Sequence, residues 1–194
     1  PHCLSKEHQL YIQRDGAAVE FNIAPAEHID AFVKSISLAL ERVRDSCEGR
    51  KLEIVPYGTF SEEQLSHPET MRAGCDPDYN AWTGKPNPMP DISELNIRVA
   101  GGHVHVGVDG LPRRKLVKAM DLFLGCPSIL FDKNETRRKL YGQAGAYRPK
   151  PYGVEYRVLS NFWIVNDKLT SWVWNQTNKA IEFVETERDL EGDA

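Results

Sequence analysis

Residues 101–108 read Gly101-Gly102-His103-Val104-His105-Val106-Gly107-Val108. Side chains two apart in a β-strand face the same side, so this stretch predicts a strand with both histidines on one face and the valines on the other. Neighbouring imidazoles are typical metal ligands, and imidazole can also contact phosphate. The alternative is a pair of exposed strand histidines on a solvated face.

Three further stretches, 17–23, 96–100 and 152–158, alternate in the same way, with apolar residues opposite polar ones. In the first of them Val19, Phe21 and Ile23 are expected on the apolar face. Together with the two histidines, the polar positions are Glu20, Asn22, Arg98, Glu155 and Arg157. The pattern predicts an α+β fold: a single antiparallel (mixed) curved sheet, with helices packed on its apolar face and chemically active side chains on the other.

Length and composition fit one globular domain, predicted over residues 1–185 and followed by an acidic tail over 186–194. Of the 194 residues, 41% are hydrophobic and 27% charged, which is ordinary for such a domain. The net charge of -4 argues against general nucleic-acid binding. No apolar run approaches the roughly 20 residues of a membrane span, and no signal-peptide pattern is present. A cytoplasmic protein without nucleic-acid or membrane partners is therefore expected.

The remaining elements follow from periodicity and capping signals. Strands are predicted over 9–13 and 51–55, a capping box at Ser61 to Gln64, and helices from Pro25 to Val43 and over 111–124, 127–131 and 167–185. Residues 72–94 are predicted to form a long irregular loop, which is either functional or contains an ordinary Asp-Pro-Asp turn. The basic stretch 134–150 is either a phosphate-contacting loop or a solvated surface.

The predicted polar face carries a set of residues suited to metal and phosphate. Glu20, His103 and Glu155 supply two carboxylates and one imidazole, which suits Mg²⁺ or Mn²⁺ better than structural zinc. Such a metal normally shares its shell with water and substrate phosphates. Arg157, Arg148 and Lys150 would then neutralise a triphosphate, which favours phosphoryl transfer.

The motifs also resemble a known family. Residues 101–107, Val154-Glu155-Tyr156-Arg157 and Ala18-Val19-Glu20-Phe21-Asn22 resemble the glutamine synthetase and glutamate–cysteine ligase superfamily. More closely, the chain is similar to the phage-type carboxylate–amine ligases, or type 2 amidoligases. Residues 74–80 and 148–157 resemble patterns of the same family, and the resemblance covers about 15–163.

The resemblance implies ATP-dependent formation of an amide through an acyl phosphate, with Mg or Mn. It implies that Glu20 binds a metal at the acyl-acceptor site and that His103 and Glu155 bind the metal that bridges the ATP phosphates. His105, Arg148 and Lys150 would lie at the nucleotide phosphates, and Arg157 would stabilise the transferred phosphoryl group. More loosely, it implies that the substrate is bound by Asn22, Asp76, Asp78 and Arg98. The partners implied are a small-molecule or peptide carboxylate and an amine.

One departure from the family leaves alternatives open. The family's first strand, with its acidic motif, has no counterpart here, so a glutamine synthetase-like catalytic domain lacking its first strand is expected. That strand would belong to a missing N-terminal segment or to another chain. The competing functions are a non-catalytic assembly or binding protein that keeps the ligase-like fold, and a metal-dependent hydrolase.

Overall fold

The computed structural model describes residues 2–5, 10–16, 18–66, 78–88, 90 and 95–192. Its strands in chain order are β1 (His2–Ser5), β2 (Leu10–Asp15), β3 (Ala18–Asn22), β4 (Tyr57–Thr59), β5 (Tyr79–Asn80), β6 (Ile97–Val99), β7 (Val104–Gly107), β8 (Ala146–Lys150) and β9 (Gly153–Tyr156). Its α-helices are α1 (Ile29–Asp45), α2 (Glu62–Leu65), α3 (Arg113–Met120), α4 (Cys126–Ser128), α5 (Glu135–Leu140) and α6 (Asp167–Gly192). A π-helical turn, Asp121–Gly125, joins α3 to α4, and a 3-10 turn, Asn161–Val165, precedes α6.

The fold is α+β, as predicted, but its described strands form three antiparallel sheets instead of one. Their orders are β1-β2-β3, β4-β6 and β5-β8-β9-β7. The segment between β6 and β7 separates two of the sheets, because its first residue still bonds beside β4 while Gly102 bonds to the segment after β9. Ala100 N donates to Pro56 O, and Gly102 N donates to Leu159 O. A side chain at Gly102 would overlap Ser160 and Trp163, so only glycine allows this close passage.

One core lies between the four-stranded sheet and the helices. Tyr156 and Val154 from β9 pack with Leu116 and Met120 of α3 and with Val173 of α6, and all are buried. The alternation predicted for β7 is confirmed, since Val104 and Val106 are buried while His105 is exposed. Packing of the apolar faces of sheet and helices is thus what orients the polar face of β7 and β9 outward.

Helix α1 is present but begins at Ile29 instead of the predicted Pro25, and α2 begins where its capping signal predicts. The expected capping box is present: Gln64 N donates to Ser61 Oγ at 3.2 Å, and Ser61 N donates to Gln64 Oε1 at 2.9 Å. The helix predicted over 111–124 instead ends at Met120 and continues as the π turn, and the one predicted over 127–131 spans only Cys126–Ser128. Helix α6 begins at the predicted residue and extends to Gly192.

Three local predictions are wrong. Residues 51–55 are not a strand; the strand begins after Pro56, and Val55 O instead accepts a bond from Asn161. The stretch 134–150 is not a loop, because the Asn134 side chain caps α5 and β8 then pairs with β9. Val19 was expected on the buried face of β3 but is 51% exposed.

Candidate active site

The centre of the site is formed by β7 and β9, which pair in antiparallel register. His105 stands directly opposite Glu155, and Val106 stands opposite Val154. Directly opposed residues share a face, so the imidazole and the carboxylate lie side by side on the polar face. On the other edge of β9, Arg148 of β8 is also paired with Glu155.

Glu155 is a buried carboxylate, 3% exposed, that contacts four nitrogen-bearing side chains. Its Oε2 lies 2.8 Å from Lys150 Nζ and 3.7 Å from Arg148 Nη1. Its Oε1 lies 3.2 Å from His103 Nδ1 and accepts a hydrogen bond from Arg157 Nη1. We call these five residues the Glu155 cluster.

The cluster keeps Glu155 ionised. Burial alone raises the pKa of a carboxyl group, but the hydrogen bonds from His103 and Lys150 and the charge of Arg157 outweigh it. The pKa of Glu155 therefore lies well below its usual range.

His103 lies just before β7, with its ring folded over Gly101, where a Cβ would overlap Nε2. Burial lowers the pKa of His103 to about 4; the Glu155 hydrogen bond opposes this shift and the charge of Arg157 adds to it. The imidazole is therefore neutral at pH 7, the form that binds metals. Its Nδ1 also lies 3.3 Å from Arg157 Nη1.

Arg157 is held from a second side by Asp78, just before β5. Asp78 Oδ2 lies 3.4 Å from Arg157 Nε, and Asn87 Nδ2 donates to the other Asp78 oxygen at 2.9 Å. The structure thus places Asp78, predicted at the substrate, against the arginine of the cluster. Asp76 lies outside the described residues.

His105 is exposed on the same face and contacts Tyr152, with 2.6 Å between Nδ1 and the hydroxyl. Loss of hydration on its inner side is the largest cause that lowers the pKa of His105. The charges of Lys150 and Arg157 lower it further, while those of Glu155 and Glu20 raise it. Glu20 therefore lies within electrostatic range of this face although it belongs to another sheet.

The other predicted residues are less closely associated with the cluster. Asn22 Nδ2 donates to Glu20 Oε1 at 3.4 Å. Arg98 lies in the β4-β6 sheet, and its Nη1 donates to the carbonyl oxygens of Leu95 and Ile97. Within the part of the chain that the structure describes, no three His, Cys, Asp or Glu side chains form a group that could hold a metal ion. The ligand set Glu20, His103 and Glu155 stays a prediction.

Two buried residues that the sequence did not single out support the site. Arg137 donates to Ala100 O at 2.7 Å and to Val158 O at 2.8 Å, so it joins the segment before His103 to the residue after Arg157. Burial is the main cause that lowers the pKa of Arg137 to about 10. The stretch 134–150 showed that this region is basic, but no periodic signal marks one arginine in it as buried.

The second is Asp121 in the π turn, a type of irregularity that often occurs at functional sites. It accepts hydrogen bonds from Tyr156 Oη at 2.8 Å and from Trp82 Nε1 at 2.5 Å. Tyr156 is the neighbour of Glu155 on β9, and Trp82 belongs to the same loop as Asp78. Asp121 therefore fixes the loop and the strand from behind the polar face.

Residues 94–187 match the family model described as phage phiEco32-like COOH.NH2 ligase-type 2. Over these residues the chain is similar to that ligase family. The match confirms the resemblance drawn from the motifs. No curated protein and no solved structure matches the chain.

The segment matched to the phiEco32-like ligases contains the whole Glu155 cluster, His105 and Arg98. Glu20, Asn22, Asp76 and Asp78 lie before it. The family match therefore covers the Glu155 cluster and not the β3 residues. None of the helices in the described residues is long and apolar enough to cross a membrane.

Proposed function

We propose that the chain is an ATP-dependent carboxylate–amine ligase that forms an amide through an acyl phosphate. The observation that carries the proposal is the Glu155 cluster, which lies inside the segment matched to a COOH.NH2 ligase family. Three cationic side chains converge there on one buried carboxylate. Arginine and lysine arranged in this way are typical phosphate-binding groups.

The donor chemistry of the cluster fits a divalent cation such as Mg²⁺ or Mn²⁺. His103 Nδ1 and Glu155 Oε1 are 3.2 Å apart, and the first is neutral while the second is ionised. Arg157 Nη1 contacts both atoms and would have to move aside for an ion to bind them. Magnesium bound by few protein groups takes its other ligands from phosphate and water. The bound ion would neutralise phosphate charge, with Glu20 as a further ligand at the acceptor side.

In the proposed reaction a substrate carboxylate oxygen attacks the γ-phosphorus of ATP, and the bond from phosphorus to the β,γ-bridging oxygen breaks to release ADP. Arg157 stabilises the charge on the transferred phosphoryl group, while Arg148 and Lys150 bind phosphate oxygens. The amine nitrogen then attacks the acyl carbon, phosphate leaves, and the nitrogen loses a proton. Catalysis of this kind rests on positioning and electrostatic stabilisation.

Calorimetric titration with ATP and Mg²⁺ tests the proposal. We expect His103→Ala and Glu155→Gln to weaken ATP binding at least about tenfold, because each removes a charge-assisted or ligating contact. His28→Ala is the matched control, since His28 is exposed and its side chain makes no cap hydrogen bond at the start of α1. Unchanged affinity in both site variants would contradict the assignment.

Turnover is tested with ATP, a panel of carboxylates and hydroxylamine, which converts an acyl phosphate into a hydroxamate. We expect an ATP-dependent hydroxamate in the wild type and its loss in Arg157→Gln, with Lys139→Gln as a control at an exposed cation. Absence of nucleotide binding would favour the assembly protein. Zinc-dependent hydrolysis without ATP would favour the hydrolase.

A further inference from the structure

Tyr152 lies in the turn between β8 and β9, at the edge of the polar face. Its hydroxyl oxygen is 2.6 Å from His105 Nδ1, and the two ring centroids are 6.2 Å apart. A contact this short joins it directly to a histidine of the candidate site.

The backbone of the turn is fixed against β7, the strand that carries His105. Val108 N donates to Tyr152 O at 2.9 Å. The next residue, Gly153, has φ +151°, and a Cβ there would overlap the carbonyl oxygen of Val106. The close approach that glycine allows therefore holds the tyrosine ring beside the histidine ring.

Donor and acceptor strengths decide the direction of the hydrogen bond. A phenolic hydroxyl is a better donor than a neutral imidazole N–H, and an imidazole nitrogen is a better acceptor than a phenolic oxygen. The Tyr152 hydroxyl therefore donates to His105 Nδ1. A neutral imidazole that accepts at Nδ1 carries its own proton on Nε2, at the opposite side of the ring.

We propose that Tyr152 is a positioning residue that holds His105 in the Nε2–H form, so that His105 donates a hydrogen bond to a phosphate oxygen. His105 stands across from Glu155 in the strand register, and Lys150 lies on the same face. The arrangement makes His105 an anion-binding donor and not a proton acceptor. That the anion is a nucleotide phosphate rests on the proposed function, whereas the hydrogen-bonding form of His105 does not.

Nitrogen NMR of the ligand-free protein tests the first part. Long-range proton–nitrogen correlations distinguish the two neutral forms of a histidine ring. We expect Nδ1 without a proton and Nε2 protonated in the wild type, and a mixture of both forms in Tyr152→Phe. Tyr79→Phe is the matched control, because Tyr79 is also exposed and its ring contacts Tyr147. A wild-type ring protonated at Nδ1 would overturn the proposal.

Binding of ATP with Mg²⁺ tests the second part. We expect Tyr152→Phe to weaken binding about fivefold, the effect of one hydrogen bond, and to have no further effect in a His105→Asn background. Equal weakening in both backgrounds would show that Tyr152 acts independently of His105 and would overturn its positioning role.

The NMR and binding experiments distinguish the ways in which the proposal could be wrong. If the wild type binds neither ATP nor inorganic tripolyphosphate, the proposed function and the phosphate role of His105 are both wrong. The NMR result then still decides whether Tyr152 sets the form of the ring. If ATP binds and His105→Asn leaves its affinity unchanged, only the phosphate role is wrong.

Discussion

Glu155 brings four nitrogen-bearing side chains together around one buried carboxylate. Pairing compensates the loss of hydration of the ions, so the arrangement is stable only while both signs of charge are present. Removal of the carboxylate charge would leave Arg157, Arg148 and Lys150 close together in a largely buried region. Glu155 is therefore a structural requirement of the site as well as a candidate ligand.

For Glu155→Gln we expect the free energy of unfolding to fall by about 3–5 kcal/mol, as for one partner removed from a buried pair. Urea unfolding measures the change. Glu135→Gln is the control, since Glu135 and Lys139 form an exposed pair on α5, and its loss should cost less than about 1 kcal/mol. Equal changes in the two variants would contradict the expected burial of the cluster.

The neutral state of His103 gives a pH dependence of stability. Burial lowers its pKa from 6.5 to about 4 in the folded protein. Between these values the unfolded chain binds more protons than the folded chain, so stability is highest above pH 6.5 and falls as the pH drops to 4. The low pKa of Glu155 acts in the same direction at still lower pH.

We expect the free energy of unfolding to decrease by about 1–2 kcal/mol between pH 6.5 and pH 4, a value reduced for the partial exposure of the ring. Urea unfolding at several pH values measures it. In His103→Asn the free energy of unfolding should change less steeply with pH over this range. An equal slope in the variant would assign the dependence to other groups.

At the scale of secondary-structure elements, the turn from β8 to β9 determines how closely β7, β8 and β9 approach one another. Gly153 has a positive φ, and any side chain there would overlap Val106 O on β7. The substitution Gly153→Ala should therefore separate β9 from β7 and displace the Glu155 cluster. The expected loss of stability combines backbone strain with a steric overlap.

For Gly153→Ala we expect a loss of about 2–4 kcal/mol in unfolding free energy, together with loss of ATP binding. Chemical unfolding and calorimetry measure the two effects. Gly107→Ala, one strand away, is the control, because its added Cβ would make only an ordinary contact at 3.7 Å with Tyr152 O. If Gly153→Ala were as stable as Gly107→Ala, the strands would tolerate a side chain at this position, and the prediction would be wrong.

At the scale of the whole molecule, the three sheets differ in how deeply they are packed. Strands β7 and β9 lie on the main core with α3 and α6, and all four residues of β9 are buried. In the β1-β2-β3 sheet Tyr11 and Val19 are exposed. Regions with fewer buried apolar contacts open at lower free energy.

Hydrogen exchange should therefore be slowest for backbone amides of Val104–Gly107 and Gly153–Tyr156. We expect amides of Leu10–Asp15 and Ala18–Asn22 to exchange about tenfold faster or more, because they open without disruption of the main core. Mass spectrometry or NMR measures both sets. Uniform protection would mean that the sheets open as one unit.

The sequence by itself determined the polar and apolar faces of β7 and β9, the helical periodicity of α1 and the capping box at Ser61. Each depends on residues near in the chain: alternation in a strand, helical spacing, or a side chain three residues from a backbone N–H. The same patterns marked His103, His105, Glu155 and Arg157 as polar positions, and the pairing of β7 with β9 then brings them together. The resemblance to the ligase family was also evident from these motifs.

Only the tertiary structure decided which strands pair and what each buried charge contacts. Alternation defines the faces of a strand but not its neighbours, so three sheets were predicted as one. The contacts of Asp78 with Arg157, of Arg137 with two strand ends, and of Tyr152 with His105 join residues 21 to 79 positions apart. Such contacts form because folding places these groups together, and no local pattern encodes them.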